Sequence, residues 1–173
     1  MTRILGVDPG SRRTGYGIVD INGSRITHVA NGVIAAGDGE FTERLGTLFS
    51  SLSAVIAEFN PSCAAMEDVF MARNAASALK LGQARGALIA ACTHGGLTVA
   101  AYSPTAVKQA VVGFGRAEKE QVQHMIKLLL KPPLPLKEDA ADALAVAICH
   151  ANHAGSAQRI AASQNKADMR RQA

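Results

Sequence analysis

The sequence has no tryptophan, few other aromatic residues and no long apolar segment. Phe and Tyr together make up 4% of the 173 residues, whereas apolar residues make up 48%, so the core has to be built mainly from aliphatic side chains. No stretch approaches the roughly 18 apolar residues that a membrane-spanning helix needs, and the N-terminus lacks the pattern of a secretory signal. The sequence therefore predicts a soluble protein with one main domain, and we expect it in the cytoplasm.

Cysteine is also scarce. The three cysteines, Cys63, Cys92 and Cys149, are odd in number and show no Cys-x-x-Cys spacing. Neither a disulfide framework nor a zinc site fits this pattern. We predict three buried thiols in a reducing compartment.

The formal net charge of +4 is unevenly distributed along the chain. Residues 155–173 carry four basic side chains and one acidic side chain and contain few large apolar residues. We predict a domain over residues 1–154 and a basic, disordered tail over residues 155–173. The tail could bind nucleic acid weakly or could simply keep the chain soluble, and the composition does not choose between the two.

Hydrophobic periodicity predicts a mixed α/β order. Three strands come first, with a two-residue hairpin turn at Asn22-Gly23; helices then alternate with two more strands, and three helices end the domain. We therefore expect a mixed five-stranded sheet flanked by helices. The predicted strands are 3–8, 15–21, 25–36, 63–67 and 97–102, and the predicted helices are 40–59, 75–93, one starting at 103–104, 117–130 and 138–151.

Four acidic residues occupy positions where a solvated charge is not expected. Asp8 and Glu67 each end an apolar strand, at the sheet edge where open α/β sheets bind ligands. Asp139 and Asp142 open the last helix, and their spacing of three places them on one helix face. Because a buried carboxylate needs a partner, four that converge predict an oxygen-ligand site for Mg²⁺ or Mn²⁺, which would suit phosphoryl chemistry.

Each acid also has a simpler explanation when it is taken alone. Asp8 precedes Pro9-Gly10 and could form a turn, Asp139 could be a first-turn charge, and Glu67 could be an ordinary strand end. The convergence of all four favours the functional interpretation. Glu138 lies about 100° further round the helix and is expected to be solvated, and His150 is expected to be an end-of-helix residue without a ligand role.

Several longer motifs occur in order along the chain. They are GVDPGSRRTGYG at 6–17, MEDVFMARNA at 66–75, SALKLGQARG at 77–86, VKQAVVG at 107–113, AEKEQVQHM at 117–125 and DAADALA at 139–145. Over about residues 3–151 the chain resembles the RuvC family of bacterial Holliday junction resolvases. The resemblance implies a ribonuclease H-like fold and an endonuclease that nicks two opposed strands of a four-way junction symmetrically, leaving 5′-phosphate and 3′-hydroxyl ends.

The resemblance also implies roles for the four acids. Asp8, Glu67, Asp139 and Asp142 would be the catalytic and metal-binding residues, with two Mg²⁺ ions per active site and Mn²⁺ as an alternative. Our hypothesis gives Asp8 to both ions, Asp139 and Asp142 to the ion that activates water, and Glu67 to the leaving-group ion. Further implied partners are a second copy of the chain, in contact around helix 75–93, and the RuvA-RuvB branch-migration complex.

The resemblance implies DNA contacts as well. Phe70 would stack on or wedge between bases of an opened junction, and Lys108 and Lys119 would lie near the scissile phosphate. Phe70 could instead pack under its own loop, and the other basic residues could be ordinary surface charges. The candidate DNA-binding residues are Phe70, Arg73, Lys80, Arg85, Lys108, Arg116 and Lys119.

Two other functions fit parts of the sequence. Residues 8–14 resemble the phosphate loop of ATPases of the actin and sugar-kinase type, but those proteins need two such domains and a far longer chain. A junction-binding module without catalysis would not need a complete set of four acids. The nuclease is therefore the predicted function.

Overall fold

The computed structural model describes the backbone of residues 1–68 and 74–171 and the side chains of residues 1–68 and 74–154. Within these residues, five strands and five helices follow one another in the predicted order. The strands are β1 (Thr2–Asp8), β2 (Arg13–Asn22), β3 (Arg25–Ala35), β4 (Cys63–Glu67) and β5 (Val99–Tyr102). The helices are α1 (Phe41–Phe59), α2 (Ala75–His94), α3 (Pro104–Val112), α4 (Lys119–Leu130) and α5 (Glu138–Arg171).

The strands form one mixed sheet in the order β3-β2-β1-β4-β5. β1, β2 and β3 pair antiparallel as a meander, and Gly23 takes the positive φ of 62° that its hairpin turn requires. β4 pairs parallel with β1, and β5 pairs parallel with β4. The predicted mixed five-stranded sheet is confirmed, and it places β1 and β4 side by side at its centre.

Side chains alternate along the central strands and divide the core into two layers. Leu5 and Val7 point to the layer that α1 and α2 cover. Ile4 and Ala65 point to the opposite layer, which α3, α4 and α5 cover. Both layers consist mainly of aliphatic side chains and alanine, as the shortage of aromatic residues requires.

Three glycines let α5 lie directly on the backbone of β1 and β2. A Cβ atom at Gly6 would overlap the carbonyl oxygen of Ala143, and a Cβ atom at Gly15 would overlap the carbonyl oxygen of Asp139. At Gly17 a Cβ atom would stand 2.7 Å from Leu144 Cγ, which is closer than carbon atoms approach. The first turns of α5 are therefore held against the sheet at a distance that only glycine permits.

Several helices begin with local side-chain caps that stabilise their first turns. Asn74 Oδ1 accepts from Ser77 N at 2.8 Å before α2, and Ser103 Oγ accepts from Ala106 N at 3.2 Å before α3. The side chain of Gln121 accepts from Glu118 N at 2.8 Å, which closes a capping box at the start of α4. The cap at α4 lies next to Lys119, the first residue of that helix.

Some boundaries differ from the prediction. The last helix was predicted over 138–151, but α5 continues to Arg171, because residues 155–171 contain no proline and a single glycine that could stop it. β5 begins at Val99 and α4 at Lys119, each two residues later than predicted. The separate tail over 155–173 stays a prediction.

Two further expectations concern the cysteines and membrane-spanning helices. Cys92 and Cys149 are buried as predicted, whereas Cys63 at the start of β4 is only partly buried, so the prediction of three buried thiols is wrong for Cys63. Across residues 1–68 and 74–171, no helix is long and apolar enough to cross a membrane.

Candidate active site

Asp8 and Glu67 lie next to each other at the carboxyl ends of two neighbouring parallel strands. Val7 of β1 is in register with Met66 of β4, so the next residue of each strand reaches the same edge of the sheet. Both acids follow the alternation of Ile4 and Ala65, which places their side chains on the face that α5 covers. Both are partly buried.

Asp139 and Asp142 come from the first turns of α5, above the same strand ends. Gly15 is the cross-strand partner of Asp8, and it also lies directly beneath the Asp139 carbonyl. The side chains of Asp139 and Asp142 are 29% and 23% exposed, so both are largely shielded from water. The structure therefore brings all four predicted acids to one end of the sheet.

The electrostatics of the four acids show that their charges interact. Burial and the negative charges of the other three acids raise the pKa of Asp8 to about 8. Burial also raises the pKa of Glu67, while a hydrogen bond with Asp8 acts in the opposite direction. Burial raises the pKa of Asp142, and a hydrogen bond from Lys119 opposes the shift. Without a cation, burial and mutual repulsion therefore favour a proton on Asp8 to a much higher pH than on an ordinary aspartate.

Two basic side chains already pair with the acids of α5. Lys119 Nζ lies 2.8 Å from Asp142 Oδ2 and 2.6 Å from Glu138 Oε1. Burial by itself would lower the pKa of Lys119, but these hydrogen bonds raise that pKa above its ordinary value. Arg13 Nε, at the start of β2, lies 3.0 Å from Asp139 Oδ2. Glu138 is exposed, as predicted, although it forms an ion pair.

A cavity of about 240 Å³ opens between two of the four acids, Glu67 and Asp142, and the helices α3 and α4. Lys108 of α3 reaches this cavity beside Glu67, Asp142 and Lys119, and apolar atoms of Val107, Val122 and Ala145 complete its wall. Two of the candidate DNA-binding residues, Lys108 and Lys119, are thus placed at the acids. The cavity has the mixed polar and apolar lining that is usual for a ligand site.

The donor set fits a hard divalent cation. All four side chains offer carboxylate oxygens, and Asp139 Oδ2 is buried and accepts no hydrogen bond despite its ion pair with Arg13. Within residues 1–68 and 74–154, no three His, Cys, Asp or Glu side chains stand close enough together to coordinate one ion. Mg²⁺ does not require such a cage, because it usually takes one or two carboxylates and completes its shell with water and substrate phosphate.

The remaining candidate DNA-binding residues occupy varied positions. Arg85 contacts β4 rather than open solvent: its Nε donates to the Glu67 carbonyl at 3.3 Å, and its Nη2 lies 3.0 Å from Asp68 Oδ1. Lys80 is exposed, with its Nζ 5.9 Å from the centre of the Phe41 ring, and Arg116 is exposed as well. Phe70 and Arg73 lie outside the described residues.

Sequence reasoning missed two groups of polar contacts. It did not single out Arg13, which lies on β2 two residues before Gly15, the cross-strand partner of Asp8. It also assigned His150 to a helix end, whereas His150 Nδ1 hydrogen-bonds to the Tyr102 hydroxyl at 2.9 Å and His150 Nε2 lies 3.4 Å from Cys63 Sγ. No local motif signals these pairs, because they join residues that are distant in sequence.

Known proteins are similar to this chain in sequence and in fold. The family model of crossover junction endodeoxyribonuclease RuvC matches residues 4–150. The protein of that name from Citrifermentans bemidjiense is 60% identical over 153 residues, which cover 88% of this chain and 93% of that protein. The one from Alkalilimnicola ehrlichii is 51% identical over 160 residues, covering 92% and 97%.

Two solved structures of Holliday junction resolvases have a fold similar to that of this chain. The structure of T. thermophilus RuvC in complex with Holliday junction substrate has a TM-score of 0.84 and 33% identity, and covers 91% of this chain and 97% of that chain. The yeast mitochondrial Holliday junction resolvase, with a TM-score of 0.64 and 16% identity over 86% of this chain and 77% of that chain, shares the fold.

The sheet order, the three leading antiparallel strands and the acids at the strand ends define an α/β nuclease of the ribonuclease H-like class. The chain belongs to the RuvC family of crossover junction endodeoxyribonucleases. It is a Holliday junction resolvase, a metal-dependent hydrolase of DNA phosphodiester bonds that acts in recombination and repair by nicking opposed strands of the junction. This confirms the predicted nuclease and excludes the ATPase and the non-catalytic module as its main activity.

Proposed function

We propose that Asp8, Glu67, Asp139 and Asp142 are the catalytic residues of this resolvase and hold two Mg²⁺ ions at the scissile phosphate. The observation that carries the proposal is the placement of four partly buried carboxyl groups, from two neighbouring strand ends and the start of α5, at one end of the sheet. Their burial and mutual repulsion raise the pKa of Asp8 to about 8. Such a group of negative charges is stable only with bound cations or protons. Oxygen-only ligands favour Mg²⁺ or Mn²⁺ over zinc.

The positions of the four acids suggest how they divide the work. Asp8 has an acid on either side, Glu67 on the neighbouring strand and the two aspartates on α5, so it is the best placed to bridge both ions. As the side chains stand without metal, no three of these acids are close enough to share an ion. Asp139 and Asp142 would therefore have to close on one ion together with Asp8, and Glu67 would hold the other. Bound divalent ions would lower the pKa of the attacking water and stabilise the leaving 3′-oxygen.

Lys108 and Lys119 would assist by holding the phosphate. Both reach the cavity that Glu67 and Asp142 line, from α3 and α4 respectively. An ammonium group at this point can stabilise the charge that develops on the phosphate oxygens. It also offsets part of the repulsion between the acids and the DNA backbone.

We further propose that Phe70 stacks on junction bases and that Arg73, Lys80, Arg85 and Arg116 contact the DNA backbone. For Phe70 and Arg73 the support is the motif resemblance alone. Arg85 also has a second task, because its bonds to Glu67 and Asp68 hold the end of β4 in place. The basic residues of 155–173 would add weak, salt-sensitive affinity.

A homodimer is the assembly we propose for symmetric cleavage. Helix α2 carries Gly82 and Gly86, and a Cβ atom at either one would meet no atom within 4 Å, so this face of α2 has room for another backbone. Leu79 on the same helix is 67% exposed. A two-fold interface through α2 would cover it and give each DNA strand one active site. Contact with the RuvA-RuvB complex and a cytoplasmic location are further expectations of the family.

The test is cleavage of a synthetic four-way junction with Mg²⁺ and without nucleotide. We expect paired, symmetric nicks from the parent protein. Asp8→Asn should abolish the nicks and retain junction binding, whereas Asp38→Asn, which changes an exposed loop aspartate, should cut at the parent rate. Full activity of Asp8→Asn would contradict the proposed site.

A further inference from the structure

Lys119 is the shared partner of two acids that begin α5. Its Nζ lies 2.6 Å from Glu138 Oε1 and 2.8 Å from Asp142 Oδ2. Glu138 is the more exposed of the two, with 61% of its side chain accessible against 23% for Asp142. The bridge joins the first residue of α4 to the start of α5, and two of its three members, Lys119 and Asp142, line the cavity.

The two acids differ in what else they can bind. Asp142 lines the cavity and its charge interacts with Asp8, whereas Glu138 does not line the cavity. Glu138 is, however, the closer of the two acids to Lys119. If a divalent cation takes Asp142 Oδ2, the oxygen that Lys119 contacts, Lys119 has to give up that contact and can keep the one to Glu138.

We propose that Glu138 is a positioning residue that retains Lys119 at the rim of the active site when Asp142 binds the metal ion. The inference rests on the proposed role of Asp142 as a metal ligand. Without Glu138, the ammonium group would pair with Asp142 alone and would compete more strongly with the cation. In the metal-bound state it would also lack a partner that keeps it beside the phosphate.

The first test measures Mn²⁺ binding to the full, DNA-free chain by electron paramagnetic resonance. Removing the charge of Glu138 weakens cation binding in any case, because it lowers the negative field at the site. The role of Lys119 is therefore isolated by a double-mutant cycle with Glu138→Gln and Lys119→Met. We expect Glu138→Gln to raise the Mn²⁺ dissociation constant in both backgrounds. The increase should be about three times larger in the parent than in the Lys119→Met protein.

Glu120→Gln is the matched control, because Glu120 is an exposed acid in the first turn of the same helix as Lys119. It should change Mn²⁺ affinity by the same factor in both backgrounds. An equal effect of Glu138→Gln in the two backgrounds would overturn the inference, because Glu138 would then act on the cation only through its own negative charge and not through Lys119.

The second test measures single-turnover junction cleavage at saturating Mg²⁺, where metal affinity no longer limits the rate. We expect Glu138→Gln to cut about threefold more slowly than the parent and Glu120→Gln to cut at the parent rate. An unchanged rate for Glu138→Gln would contradict the positioning role in the metal-bound state.

Failure of the underlying metal site would look different. If Asp142→Asn binds Mn²⁺ as tightly as the parent, the proposed function fails and Glu138 loses its role with it. If Asp142→Asn weakens Mn²⁺ binding while Glu138→Gln behaves alike in both Lys119 backgrounds, only the inference on Glu138 fails.

Discussion

Arg13 Nε lies 3.0 Å from Asp139 Oδ2, so a residue at the start of β2 neutralises an acid at the start of α5. With Lys119 at Asp142, both aspartates of α5 carry a basic partner in the absence of metal. The side chains of Arg13 and Lys119 are 58% and 48% exposed, which leaves both free to turn towards DNA phosphates. The protein therefore pairs its own cations with two of the four acids that we propose as metal ligands.

This arrangement predicts the effect of removing Arg13. In Arg13→Gln the cation that competes for Asp139 is lost, and we expect the Mn²⁺ dissociation constant of the DNA-free protein to fall about two- to threefold. Junction affinity at low salt should fall as well, because one phosphate-binding charge is missing. Arg25→Gln, at the far end of the sheet, is the control and should leave Mn²⁺ affinity unchanged. Weaker Mn²⁺ binding by Arg13→Gln would contradict the competition.

The raised pKa of Asp8 predicts how the stability of the metal-free protein depends on pH. The unfolded chain ionises Asp8 above about pH 4, whereas the folded protein holds its proton up to about pH 8. The folded state therefore binds more protons in this range, and the free energy of unfolding falls as the pH rises through it. We expect Asp8→Asn to raise the melting temperature by about 5 °C at pH 8 and by much less at pH 4.

Thermal unfolding in the presence of a chelator checks this dependence. Asp38→Asn, at an exposed loop position, should show no difference between the two pH values. An equal gain for Asp8→Asn at both pH values would mean that the proton on Asp8 is not the cause.

The protonation of Asp8 also predicts how the repulsion between the acids and DNA depends on pH. Residues 1–154 have 14 basic and 13 acidic side chains, and without its four clustered acids this domain would be clearly basic. Because the pKa of Asp8 is about 8, Asp8→Asn removes little charge at pH 6.5 and a full charge at pH 9. We therefore expect Asp8→Asn to strengthen metal-free junction binding at pH 9 but hardly at pH 6.5. Fluorescence anisotropy in low salt with a chelator measures the junction affinity of both proteins. An equal gain in affinity at both pH values would contradict the electrostatic explanation.

The glycines beneath α5 predict a cost in stability that is separate from catalysis. Gly17→Ala places a Cβ atom against Leu144 and should lower the free energy of unfolding by about 1–3 kcal/mol. Gly46→Ala, inside α1 with no atom within 4 Å of the new Cβ, should instead raise it by about 0.5–1 kcal/mol. Urea unfolding of both variants gives the comparison. Equal stability of the two would show that α5 can move away from the sheet without cost.

Much of the fold and part of the site could be predicted from sequence. The order of all strands and helices followed from periodicity, and the bounds of β4 were predicted correctly, because a short apolar run between turn residues is a local signal. The end of α5 was not, since the segment after Ala151 lacks a clear stop. The convergence of Asp8 with Glu67 was predictable from the rule that strand ends meet at one edge.

By itself, the sequence determined the family, the sheet with its order of elements, and the four acids at its edge, because motifs and periodicity are properties of short segments. Only the tertiary structure decided which basic residues face those acids and how closely α5 approaches the sheet. Arg13 with Asp139, Lys119 with Glu138 and Asp142, and Gly15 beneath Asp139 are contacts between segments far apart in the chain. Such contacts depend on packing distances of a few ångströms, which no local pattern specifies.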